Sequence, residues 1–306
     1  MEQVKLSNIN GNTYYIRGGT NTGVYVFDDN SALVIDPGLS GMRPSNMKSL
    51  LEENNIKIKY IINTHEHEDH YGGSSQLKEI DDSIEILTSE KAKVFIDYPN
   101  IYGDYTLGGR GNEFFYSKLS RGKSYLTKVD RIIEEGNLVL NNEEFEIIKL
   151  KGHSEGSIGV LTKDKVLFVG DLFVGEHILG KFDLLLIYDV KEYLESIKKI
   201  ENINFEYMVL GHSKSFTHKD DVKKYIKNHE NAIYKYLNQI RKLLESPITI
   251  DNILKNIINN NELTCNYKEY YFFRSTIVSM ISYLSDLNEI EYMIKQGEML
   301  YYSKKG

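Results

Sequence analysis

Seven consecutive residues constrain this 306-residue chain more than anything else in it: Thr64-His65-Glu66-His67-Glu68-Asp69-His70. Three histidines and Asp69 fall within six positions, directly after Lys59-Tyr60-Ile61-Ile62-Asn63, which reads as a strand. If the chain is extended there, His65 and His67 point the same way. Asp69 and His70 can face a second point as the chain turns into a helix running past Leu77. Gly72-Gly73 let the backbone pass close by. Imidazoles with carboxylates suit Zn, Fe or Mn. The absence of thiolates argues against a closed structural zinc site.

Three further candidates stand apart in sequence. His153 follows the strand-like 145–150, Asp171 follows 166–169, and His212 follows 207–210, each with a glycine just before it. Together with the cluster, four strands deliver ligand-capable side chains at their C-terminal ends, where sites collect in α/β sheets. Five of the eight histidines belong to this constellation. His177, His218 and His229 lack such context and read as surface or packing residues, although His177 lies only six residues past Asp171. Cys265 reads as a small core residue.

The rest of the chain is ordinary globular sequence. With 41% hydrophobic and 26% charged residues, collagen-like, coiled-coil and disordered readings fall away. One cysteine excludes an internal disulfide framework. The first residues show no secretory pattern and no run approaches a membrane span, so a cytoplasmic protein is expected. A net charge of −7 gives no electrostatic hint of nucleic acid.

β-Branched and aromatic runs at 13–17, 23–27 and 32–35 predict strands, followed by a helix over 44–54 and a strand over 84–87. Short strands are expected at 138–140, 144–148, 159–161, 166–169 and 207–210, with a helix at 190–200. Strand-rich halves, each with helices, predict a layered α/β domain. Residues 97–127 differ: seven aromatics lie among glycines, as in an insertion packed by its own rings. It is either a satellite core under a long loop or a wall over a pocket. After 216 the pattern becomes helix (219–245), helix (250–259), helix (267–286) and hairpin (290–302), the order of a winged helix. Domains are therefore expected at 1–216 and 217–306. The second carries 13 Lys+Arg against 11 Asp+Glu, and its third helix only Lys268 and Arg274 as bases. A DNA-reading helix should be more basic.

Thr-His-Glu-His-Glu-Asp-His with the downstream Gly-His, Gly-Asp and Gly-His resembles the metallo-β-lactamase superfamily over about residues 10–215, and Asp36 after Leu33-Val34-Ile35 resembles its first motif. The resemblance implies an αββα sandwich with two divalent metal ions at one edge, zinc first and iron or manganese as alternatives. Carried over by motif, one ion is held by His65, His67 and His153 and the second by Asp69, His70 and His212, with Asp171 bridging. Glu66 and Glu68 fall at variable positions and take no role. The resemblance further implies that two such cations would hold hydroxide at neutral pH for attack on an electrophilic carbonyl or phosphorus, with Asp69 orienting the nucleophile or accepting its proton.

Within that resemblance the ligand set narrows the branch. Asp171 stands where class B1 β-lactamases have Cys, class B3 enzymes lack the bridging Asp, and flavodiiron proteins have Glu where His67 stands. Acyl-homoserine lactonases carry Tyr where Val174 stands. The full set with the C-terminal tail resembles the glyoxalase-II-like hydrolases. The expected function is hydrolysis of a small ester or thioester, in a monomer or a homodimer. The alternatives are a single-strand endoribonuclease, a lactonase, or a metal-binding protein without turnover. A ribonuclease would need a basic track, and only Arg110, Lys118, Arg121, Lys123 and Lys128 cluster, near the insertion.

Overall fold

The computed structural model describes residues 5–119 and 128–304. Two mixed sheets form its centre. The first runs in chain order: β1 (Leu6–Asn10), β2 (Thr13–Ile16), β3 (Thr22–Val26), β4 (Ser31–Ile35), β5 (Lys57–Ile62), β6 (Glu85–Thr88) and β7 (Arg131–Ile132). Its first four strands are antiparallel and the rest add in parallel. Parallel addition needs crossovers, which are supplied by α1 (Met42–Glu53), by α2 (Glu68–Ile80), and by α3 (Glu90–Asp97) with the insertion helices α4 (Pro99–Leu107) and α5 (Glu113–Leu119). The second sheet holds β8 (Gly136–Leu140), β9 (Glu143–Lys149), β10 (Ile158–Thr162), β11 (Val166–Phe168), β12 (Tyr207–Val209) and β13 (Thr217–His218) in the spatial order β13-β12-β11-β10-β9-β8. The short α6 (Glu176–Leu179) and α7 (Val190–Lys199) connect β11 to β12.

Side-chain alternation along the strands builds the layers. Leu33 and Ile35 of β4 face the second sheet and pack with Phe145, Val160 and Val209. Ala32 and Val34 face the other way onto Met47, Leu51 and Leu77 of α1 and α2. On the outer side of the second sheet, Leu161, Leu167 and Met208 share one core with α7 and with three C-terminal helices: α8 (Val222–Leu243), α9 (Ile250–Asn260) and α10 (Tyr267–Asp286). The order of layers is helix, sheet, sheet, helix, as the resemblance implies. The hairpin β14 (Ile290–Lys295) and β15 (Glu298–Ser303) follows α10, completing the expected helix-helix-helix-hairpin order. Among the described residues no helix is long and apolar enough to cross a membrane.

Local signals explain the C-terminal boundaries. Asn266 and Glu269 form a reciprocal capping box that starts α10, and the Thr249 hydroxyl caps α9. Cys265 sits in the loop just before α10 and is exposed, so its reading as a core residue is corrected. His218 and His177 are exposed, whereas His229 is buried.

His229 on α8 ties the C-terminal helices to the loop after β11. Its Nδ1–H donates to Tyr225 O at 2.8 Å, which leaves Nε2 to accept from Val174 N at 3.1 Å. Val174 in turn bridges to His212. Burial pushes the His229 pKa down to about 4 from the usual 6.5. A histidine neutral in the fold stabilises it fully above its unfolded pKa, and that stabilisation is lost as pH falls toward 4. Between pH 7.5 and 5, wild type should therefore lose about 2 kcal/mol more unfolding free energy than His229→Gln. Equal losses in paired urea titrations would contradict a neutral buried His229.

Candidate metal centre

The five histidines of the constellation and both aspartates meet at one end of the two sheets. His65 and His67 follow β5, Asp69 and His70 lie in the first turn of α2, and His153, Asp171 and His212 follow β9, β11 and β12. His67 Nδ1 lies 3.1 Å from His65 Nε2 and 2.9 Å from His153 Nε2. Asp171 Oδ2 is 3.6 Å from His153 Nε2 and 3.4 Å from His212 Nε2, while Asp171 Oδ1 is 3.2 Å from His70 Nε2. Asp69 Oδ2 is 3.5 Å from His212 Nε2. Among the described residues three groups could hold a cation: His65, His67, His153 and Asp171; Asp69, His70 and His212, with Asp171 between these two groups; and Asp36, His65 and His70.

The outer ring nitrogens explain why the inner ones face each other. His153 Nδ1 donates to Leu186 O at 3.0 Å, and His212 Nδ1 donates to Gly19 O. His65 Nδ1 lies 3.1 Å from Thr64 Oγ1, whose own hydrogen goes to Asp36 Oδ2. His67 Nε2 meets the Tyr102 hydroxyl at 3.1 Å. A donating outer nitrogen leaves the inner one with a bare lone pair. Lone pairs crowded within 3.1 Å repel unless a cation lies between them. Two buried atoms, His70 Nε2 and Asp171 Oδ1, make no hydrogen bond despite their proximity. This donor set fits divalent transition metals.

Electrostatics agree. Burial, with the neighbouring His70 and His67, holds His65 well below the usual imidazole range. Burial opposes charge on His212 too, but Asp171 lifts it to about 10. Burial alone would raise Asp171, yet His212 and His70 hold it well below the usual carboxylate range. The metal-free site thus keeps protons on the His70–Asp171–His212 side, and a bound cation would displace them.

Asp36, which sequence reading linked only to a motif, is the keystone of the support. Its Oδ1 accepts from Thr64 N at 2.7 Å, and its Oδ2 accepts from Thr64 Oγ1 at 2.7 Å and pairs with His70 Nδ1 at 2.8 Å. Both oxygens are thereby used, so Asp36 orients His70 directly and His65 through Thr64, although it lies close enough to both to share a cation with them. Its φ of 53° is in the left-handed region that favours glycine, held there by Asp36 N to Ile62 O and by Thr22 Oγ1 donating to Asp36 O. The β2–β3 loop clamps the far side. Asn21 Nδ2 donates to Leu210 O and Ser213 O, and Arg43 holds that loop through Thr20 O. Gly211 is required here, because a Cβ would lie 2.3 Å from Asp171 Oδ1.

Glu66, to which the resemblance gives no role, supports the site. It is 6% exposed and accepts from Ser154 Oγ at 2.8 Å, anchoring the loop that carries His153. Only a contact 88 residues away reveals this, so the local pattern held no signal for it. Tyr102 was visible as one of the insertion's aromatics but not as a partner of His67. Arg110, Lys118 and Lys128 line neither cavity beside the site, while Arg121 and Lys123 lie outside the described residues.

The metallo-beta-lactamase superfamily model matches residues 15–212, which includes all seven candidate ligands. The chain belongs to the metallo-beta-lactamase superfamily. It is 32% identical over 148 residues to hydroxyacylglutathione hydrolase 1 of Vibrio vulnificus, covering 48% of this chain and 45% of that one. It is 28% identical over 201 residues to hydroxyacylglutathione hydrolase GloC of Haemophilus influenzae, covering 62% and 83%. The chain spans about half the length of the first curated relatives it matches. In structure, a beta-lactamase domain protein from Burkholderia ambifaria superposes with a TM-score of 0.75 at 16% identity, over 99% of this chain and 94% of that one. A metallo-beta-lactamase family protein from Thermus thermophilus gives 0.70 at 15% identity over 99% of each. Both likenesses extend through the C-terminal helices and concern the fold.

Replacing Asp36 by Asn should loosen His70 and the Thr64 backbone together. Zinc affinity is expected to fall about 10–100-fold in a chelator competition, as for other partners of metal-binding histidines. Unchanged affinity would show that Asp36 does not orient the site.

Proposed function

We propose that this chain is a dinuclear metal-dependent hydrolase of a small ester or thioester. In this reading His65, His67 and His153 hold one divalent ion, Asp69, His70 and His212 hold the second, and Asp171 bridges them. Zinc is the first expectation. The observation that carries the reading is the convergence of ring nitrogens whose outer nitrogens are tied to Leu186, Gly19, Asp36 and Thr64. Bound there, two cations would supply a water acidic near neutral pH and a Lewis-acid contact for the carbonyl oxygen. The hydroxyacylglutathione hydrolase names of the curated relatives support a thioester substrate.

The chain's own residues account for the remaining steps. Burial alone would raise Asp69, but the hydrogen bond with His212 and the charge of His70 hold it well below the usual carboxylate range. Asp69, whose Oδ2 lies 3.5 Å from His212 Nε2 and which lines the smaller cavity, is the group that orients the attacking water and takes its proton in this proposal. The water oxygen adds to the acyl carbon and the C–S or C–O bond breaks. The leaving thiolate or alkoxide takes up the proton held by Asp69, and the acid product leaves as its carboxylate, its remaining proton passing to solvent. Tyr102, Leu186 and Phe272 overhang the site and limit water access around the scissile bond. Residues 1–216 carry the chemistry in this proposal, and residues 217–306 complete the cleft through α10.

The test compares initial rates of zinc-loaded protein on a thioester and on single-stranded RNA, with His65→Ala and Asp171→Ala alongside. Thioester turnover should fall at least about 10³-fold in both variants, with loss of bound metal. RNA cleavage without thioester turnover would replace the proposal by an endoribonuclease. Full activity of metal-depleted Asp171→Ala protein would contradict the dinuclear mechanism.

A further inference from the structure

Two cavities of about 510 and 430 Å³ flank the metal centre and share Glu66, His67, Tyr102, His153, Leu186 and Phe272 at their inner ends. They differ in what lies beyond. The smaller opens over Asp69, Asp171 and His212 and carries Lys268 and Glu269. The larger leads away from those groups along an aromatic wall. The ring of His67 lies 5.6 Å from that of Tyr102, Tyr102 lies 6.0 Å from Phe95, Phe95 lies 5.9 Å from Tyr105, and Tyr105 lies 6.0 Å from Tyr188. The opposite wall is the face of α10 that carries Tyr271, Phe272 and Val278.

Two features show what this larger cavity takes. Its inner end offers few polar groups to a ligand: the Glu66 carboxylate accepts from Ser154, and the His67 imidazole is engaged with Tyr102. Its outer end exposes large apolar side chains, with Val94, Tyr105, Tyr188 and Val278 each more than a third accessible while lining the same cavity. Apolar surface gathered at the mouth of an active-site cleft marks a place where an apolar ligand is covered. The other charged residues lining it do not alter this, because Lys91 is exposed, the Glu155 carboxylate is paired with Lys151 and the Arg274 guanidinium with Asp251.

We infer that the larger cavity is an acyl site for an extended apolar chain of the medium-chain fatty-acyl class, with the scissile carbonyl at His67 and His153 and the polar leaving group in the smaller cavity. This rests on the hydrolase reading above and names its substrate class. Helices α3 and α4 on one side and the C-terminal helix α10 on the other then act together as the two jaws that select the acyl group. Phe95, Tyr105 and Phe272 are specificity-determining residues.

The experiment uses zinc-loaded full-length protein and the acetyl, butanoyl, hexanoyl and octanoyl thioesters of N-acetylcysteamine. kcat/KM should rise by up to about fourfold per methylene until the cavity fills, on the order of a hundredfold or more over the series. Tyr105→Ser and Phe272→Ala should each lower the octanoyl-to-acetyl ratio of kcat/KM by about tenfold, a ratio that cancels any loss of folded protein. A flat or falling series would overturn the acyl site while leaving the hydrolase reading intact. If no thioester turns over, calorimetry of octanoate and acetate on the same protein decides. Octanoate binding at least about tenfold tighter, lost in Tyr105→Ser, would support the acyl site with the hydrolase reading gone, and equal binding would overturn the site.

Discussion

The architecture depends on one constraint: five imidazoles are each held by the outer nitrogen, so that the inner nitrogens crowd together. No isolated loop can impose this. It takes two sheets whose strands end at the same edge, so that His65, His153, Asp171 and His212 arrive from four different strands. It also takes a set of acceptors fixed in the surrounding backbone, among them Leu186 O and Gly19 O. The crowding of the His65, His67 and His153 inner nitrogens makes the arrangement costly unless a cation lies between them. A cation converts that cost into binding energy.

Support for the centre comes from unusually distant parts of the chain. Asp36 joins β4 to the histidine motif, Glu66 joins the motif to the His153 loop, and His229 joins α8 to the loop after Asp171. The C-terminal helices are therefore coupled to the site twice over. They share the core beneath the second sheet, and through α10 they form one wall of the cleft. A change in their packing should reach the site through Val174 and His212, which bridge to each other.

Much of this was legible in the sequence, and the reason is local. The histidine motif and the three glycine-preceded candidates each lie within a few residues of the strand that delivers them, so each was visible locally, and the family resemblance grouped them. The three C-terminal helices and the hairpin were likewise readable, because α8 and α9 carry one apolar face each and Pro247 separates them. What sequence did not reveal depends on contacts across the fold. Glu66 was given no role because its partner Ser154 is 88 positions away, and Tyr102 looked like one aromatic among seven until its place beside His67 was seen. Cys265 was misread for the opposite reason, since a small apolar residue carries no pattern to show that its loop is exposed.

The most direct measurement is a calorimetric titration of zinc into the metal-free protein in two buffers of different ionisation enthalpy. Two ions should bind per chain with net release of protons, because His70 and His212 carry protons that the second ion must displace. Binding of a single ion, or of none, or binding without proton release, would contradict a centre in which Asp171 bridges two metals.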